Sequence, residues 1–277
     1  KFVTSERVID NISVNFDGTI RTALKQNQQG SEDKTGTKWE AIYPVPENIS
    51  GLVSFTFTGN DPAGNRVTYD DSTVKSSRNV TIDNDTPSVL NVALSTNNTG
   101  KLHDNVTGLA LDNDSVAKYG DNVTLEFETS ERVVNPSVTI NNQLTPAVIR
   151  SSDKTGTLWQ AFYLVKDNDT GQVVFTNFDA ADPAGFALNY DPSIQSSQSV
   201  TVDNTRPSVS SLEISTDNNS KTLFDGSGNQ LPDQLVVNFP DNISISFTTS
   251  ERVMPGLKLK IKGINLPANP KLDNGTS

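Results

Sequence analysis

Eight acidic residues recur at positions where a hard cation could be held. Glu6, Glu131 and Glu251 each stand third in a repeated "TSERV"; Asp61 and Asp182 each open a "DPAG"; Asp83, Asp85 and Asp203 lie in "TIDND" and "TVDN", just ahead of Pro87 and Pro207. Calcium takes six to eight oxygens from carboxylates, amides and carbonyls. If strand ends converge at a joint, such a cluster would bind the ion and stiffen the chain there. The competing reading is that these are solvated turn acids, with Glu131 paired to Arg132 or another basic neighbour and worth little. A melt with and without EDTA separates the two.

Other chemistry is poorly provided for. The chain has no cysteine, so disulfides and thiolate metal sites are excluded. Its one histidine, His103, sits in a polar spacer, which excludes most catalytic triads and histidine-rich metal sites. Paired carboxylates could serve a glycosidase, but these recur with the repeat rather than meeting once in a cleft. No nucleophile elbow or phosphate-cradling glycine loop is present. The expectation is a protein that is not an enzyme.

A net charge of -11 repels phosphate backbones and anionic membranes, so nucleic acid is not an expected partner. No stretch approaches the ~20 apolar residues that span a bilayer, and "KFVTSERVID" lacks the apolar run of a signal peptide.

Asn-x-Ser/Thr sequons occur at Asn11, Asn48, Asn79, Asn84, Asn97, Asn105, Asn113, Asn122, Asn168, Asn218, Asn242 and Asn274. That is twelve, where 29 asparagines and 58 serines and threonines in 277 residues give about six by chance. The excess favours N-linked glycans on a secreted protein, sooner in the long spacer than on strands. Part of it reflects a structural habit of turn asparagine followed by strand threonine, as in "DNVT".

The elements that must position these residues are set by internal repetition. "DKTGTKWEAIYPV" from Asp33 returns as "DKTGTLWQAFYLV" from Asp153, "DPAG" returns at Asp182, and "VTIDNDTPSV" from Val80 returns as "VTVDNTRPSV" from Val200, at offsets of 120, 121 and 120. The first two "TSERV" copies are 125 apart, because five extra residues lie around "RTALKQNQQGSE". Such an insertion is tolerated in one loop.

Within a repeat, "NVTLEFETSERV", "NPSVTINN", "TLWQAFYLV", "GQVVFTNF" and "QSVTVDN" alternate apolar with polar residues and are rich in β-branched and aromatic types. Turn-forming Asn, Asp, Gly and Pro separate them. The predicted core is Val123, Leu125, Phe127, Val138, Ile140, Trp159, Phe162, Val174 and Phe175. Trp39 and Trp159, at equivalent positions, are read as core aromatics in preference to sugar platforms.

The ordered series "VTLEFETSERVVNPSVTI", "TGTLWQAFYLV", "DAADPAGFALNYD" and "SVTVDNTRPSV" resembles the tandem immunoglobulin-like repeats, of bacterial Ig-like type, in large secreted surface proteins. The resemblance implies an all-β fold of tandem immunoglobulin-like β-sandwiches, about seven strands to each ~120-residue repeat. It also implies calcium near some linkers. The long spacers from Asn97 and Ser215 depart from that pattern. Each is expected to form an extra hairpin at one end of the sandwich and to be a place of contact.

Pro87 and Pro207 set the boundaries. Residues 87–206 form a complete repeat, 1–86 a partial one lacking its first strands, and 207–277 a partial one lacking its last. The chain is therefore expected to be a slice of a longer array; strand donation between molecules is the competing account.

The function expected is structural: an extracellular array forming a cell-surface stalk, filament or fibre, with neighbouring repeats or other copies of the protein as its partners. The alternative is an adhesin that binds a glycan or a cell-surface protein through the decorated loops or through a further terminal domain.

Overall fold

The computed structural model describes residues 1–9, 11–25, 27–28, 31–32, 35–70, 78–104, 107–218, 222–253 and 257–267. Asn105, Asn274, and Asp33 and Lys34 of the first "DKTGT" lie outside the described residues. The described chain is all strand and turn. It divides into two compact units, Lys1–Asp203 and Asn204–Ser277. Among the described residues, no helix is long and apolar enough to cross a membrane.

The first unit holds two separate apolar cores. The larger runs from Val89 to Val202, and the smaller gathers Val8, Ile12, Val14, Ala23, Trp39 and Phe57. Around the larger core, one sheet runs in the order Val89–Thr96, Asn122–Thr129, Leu158–Leu164, Gln143–Ile149, Val134–Ile140, Phe175–Ala181. A second sheet joins Lys101–His103, Ala110–Ala117, Ser199–Val202 and Gly171–Gln172.

The alternation read in the sequence explains the Asn122–Thr129 strand. Val123, Leu125 and Phe127 are buried, while Thr124, Glu126 and Glu128 between them are half-buried. Each such apolar side chain contributes about 1.5–3 kcal/mol when fully buried. Val138 and Ile140 are fully buried as expected, and Trp39 and Trp159 are 1% and 8% exposed, which makes them core residues.

Two expected core residues point outward instead. Phe162 is 52% exposed, because the Leu158–Leu164 strand turns Trp159, Ala161 and Tyr163 inward and Phe162 is out of phase with them. Val174 is 54% exposed, and its neighbour Val173 is buried. Phe175 is only half-buried. The phase then changes once more: Asn177 adopts φ of 50°, and the register against Val134–Ile140 slips between Ser137 and Thr139. A bulge of this kind re-aims the following side chain. Phe178 consequently enters the core, edge-on to Phe127 with ring centres 5.0 Å apart.

The first spacer does form a hairpin, Lys101–His103 against Ala110–Ala117. It is more than decoration, because Ala110–Ala117 also pairs in parallel with Ser199–Val202, and Ala117 is buried. The second spacer forms the corresponding hairpin, Thr222–Phe224 with Gln230–Leu235.

Candidate cation site

"TSERV" builds the same turn three times. The hydroxyls of Thr4, Thr129 and Thr249 donate to the carbonyls of Glu6, Glu131 and Glu251 at 2.7, 2.7 and 2.6 Å. The second copy of this turn docks on "DKTGT". The N–H of Thr129 donates to Thr157 O at 2.9 Å and that of Val133 to Gly156 O at 3.4 Å. Asp153 holds that loop by accepting backbone N–H groups from Thr155, Gly156, Thr157 and Leu158. The Thr155 hydroxyl, followed by the Leu158 amide, keeps its carboxyl far below the usual range. Gly156 has φ of +82°, and a Cβ there would lie 2.9 Å from Arg132 Cγ. Only glycine allows both that conformation and that approach.

The linker is fastened on both sides. Asn84 donates its amide to Pro46 O at 2.9 Å and to Ile49 O at 2.6 Å. Ser130 takes the Ser88 N–H on its hydroxyl at 2.9 Å and donates its own N–H to Ser88 O at 2.8 Å. Asn189 N–H donates to Pro87 O at 2.8 Å, and Val89 N–H donates to Asn189 O at 3.0 Å. Asp83 is thereby held near the ends of the strands Asn122–Thr129 and Phe175–Ala181.

Asp83, Glu131 and Asp182 meet there, each offering an oxygen within 4.8 Å of the others. Two ligands on one calcium at about 2.4 Å are separated by no more than about 4.8 Å, so the three can share an ion. Glu131 is pushed above the ordinary carboxylate value by burial first, then by Asp83, Asp182 and Asp85. Asp182 is 4% exposed; its Oδ1 accepts from Gly185 and Phe186 N–H at 2.6 and 2.9 Å. Its Oδ2 is buried with no hydrogen-bond partner. A buried charged oxygen in that state is costly unless something satisfies it. Among the described residues, ion pairs join Lys1 to Glu40 and Arg150 to Glu126, and Glu131 takes part in neither. The Glu131–Arg132 pair of the competing reading is not one of these two ion pairs.

Of the other acids singled out in the sequence, Asp85 lies close enough to repel Glu131. Asp61 is buried but satisfied by Asn65. Glu6 and Asp203 are exposed, and Asp203 N–H donates to Ala117 O at 2.8 Å. In the second unit Glu251 is half-buried, with Oε1 lacking a hydrogen-bond partner. Among the sequons, Asn11, Asn48, Asn79, Asn97, Asn113, Asn122, Asn168 and Asn242 are exposed. Asn84 is half-buried with its amide engaged as above, and the amides of Asn218 and Asn242 donate to Asp241 and Asp217. Sequence reasoning missed the roles of Ser130, Asn84 and Asn189, although Ser130 is part of the repeated motif.

No protein-family model and no curated protein matches the chain. A structural likeness exists to SGBP-B of the Bacteroides ovatus mixed-linkage glucan utilization locus, solved in complex with a mixed-linkage heptasaccharide. It has 15% identity, covers 73% of this chain and has a TM-score of 0.19. The chain spans 40% of that structure's length.

Proposed function

We propose that this chain is a segment of a structural array at the cell surface, built from tandem immunoglobulin-like sandwiches and stiffened at the joint by a divalent cation, calcium. The observation that carries this reading is the meeting of Asp83, Glu131 and Asp182, with Asp182 Oδ2 buried and unsatisfied. Three acids from the segment before Pro87, a "TSERV" turn and a "DPAG" turn are useful to an array, because one ion ties the end of one repeat to two turns of the next. Calcium fits the hard oxygen set, with waters and carbonyls completing the shell. Exposed sequons such as Asn113 and Asn168 would carry N-linked glycans, and Asn84, whose amide is committed to Pro46 and Ile49, would not.

Electron microscopy of the native protein tests the structural role. Regular fibres, straight in calcium and limp in EDTA, are expected. Isolated rods that contact cells only at their tips would instead favour adhesion. That second reading has one feature in its favour: the outward ring of Phe162, 52% exposed and opposite Thr124, is open to stacking on a sugar. A glycan array probed with this chain and with Phe162→Ala would reveal such binding.

A further inference from the structure

The two "DPAG" turns of the first unit differ in the residue that follows them. In the first, Asn65 donates its backbone N–H to Asp61 Oδ1 at 2.7 Å and its side-chain amide to Asp61 Oδ2 at 2.8 Å. Both carboxylate oxygens are satisfied within the turn. In the second the residue is Phe186. Its backbone N–H still reaches Asp182 Oδ1 at 2.9 Å, but a phenyl ring has nothing to donate, and Oδ2 is left buried without a partner.

We infer that this position is a selector: an amide side chain closes the aspartate on itself, and an apolar one leaves an oxygen free for a divalent cation. The inference rests on the cation-clamped joint proposed above and specifies what decides whether a joint is clamped. Burial sharpens the choice. Asp61 and Asp182 are 8% and 4% exposed, so bulk water is a poor substitute for either partner. Two neighbouring acids, Asp83 and Glu131, each offer an oxygen within 4.8 Å of one from Asp182. An array of such repeats would then carry stiff and yielding joints in an order written by one residue per repeat.

The test is calorimetric titration of calcium chloride into the EDTA-stripped chain, for wild type, Phe186→Asn and Phe186→Leu, with thermal melts of each in EDTA. Wild type and Phe186→Leu should bind alike. Phe186→Asn should lose at least about tenfold in affinity and melt higher than wild type in EDTA, because the new amide satisfies Oδ2. Unchanged calcium affinity in Phe186→Asn, or a lower midpoint in EDTA, overturns the selector and leaves the clamped joint standing. Calcium binding by none of the three proteins overturns both.

Discussion

Glu131 and Asp182, from different motifs at the ends of different strands, present carboxylate oxygens within 4.8 Å of each other. Neither of the ion pairs Lys1–Glu40 and Arg150–Glu126 involves them, and Asp83 joins them from the segment before Pro87. Three negative groups in a partly desolvated corner oppose folding when the corner is empty. With a divalent ion between them they favour it.

This reversal of sign gives a direct prediction for Glu131→Gln. In EDTA at neutral pH the variant should be more stable than wild type by roughly 1 kcal/mol, the energy of one like-charge pair about 4 Å apart in a largely aqueous setting. In millimolar calcium it should be the less stable of the two. Paired thermal melts check both halves; a variant destabilised in both buffers would make Glu131 a purely structural residue.

The pH dependence has a defined direction. Glu131 is raised above its ordinary value of 4.5, so the folded state binds its proton more tightly than the unfolded state. The stability this contributes is full below pH 4.5 and is lost as pH rises through the raised value. Measured in EDTA, the difference in midpoint between wild type and Glu131→Gln should therefore widen as pH climbs out of the acid range. Subtracting the variant removes the opposite trend of Asp61 and Asp153, whose pKa values are lowered.

The linker contacts should matter to the ion more than to the core. Ser130→Ala removes the acceptor of the Ser88 N–H, which costs about 1 kcal/mol in stability. It should also weaken calcium binding several-fold, because Asp83 is then held less firmly against Glu131. Titration alongside a melt in EDTA separates the two effects.

Core substitutions distinguish the inward from the outward residues. Leu125→Ala should cost about 2–5 kcal/mol, since Leu125 is 0% exposed, whereas Phe162→Ala should cost less than about 1. Urea denaturation of both variants is sufficient to show the contrast.

Much of this arrangement was legible in the sequence, and the exceptions have physical causes. Repetition placed "TSERV" in three copies and "DPAG" in two, and alternation found Val123, Leu125 and Phe127. Alternation also put Phe162 and Val174 in the core, because the pattern is locally ambiguous where apolar residues are adjacent, as in Phe162–Tyr163 and Val173–Val174. The phase change at Asn177 depends on a bulge against another strand. The parallel pairing of Ala110–Ala117 with Ser199–Val202 joins distant segments and leaves no local mark. At the site, residue type identified the acids, but only geometry separated Asp83, Glu131 and Asp182 from the rest. The difference between Asn65 and Phe186 is visible in the aligned repeats and acquires meaning only from the hydrogen bonds of Asp61 and Asp182.

The cation at the joint is the central claim, and melting the chain with calcium and with EDTA, as wild type and as Asp182→Asn, tests it most directly. At calcium a hundredfold above its dissociation constant, wild type should gain about 2.7 kcal/mol, and Asp182→Asn should gain little or nothing. Identical wild-type midpoints in calcium and EDTA would contradict it.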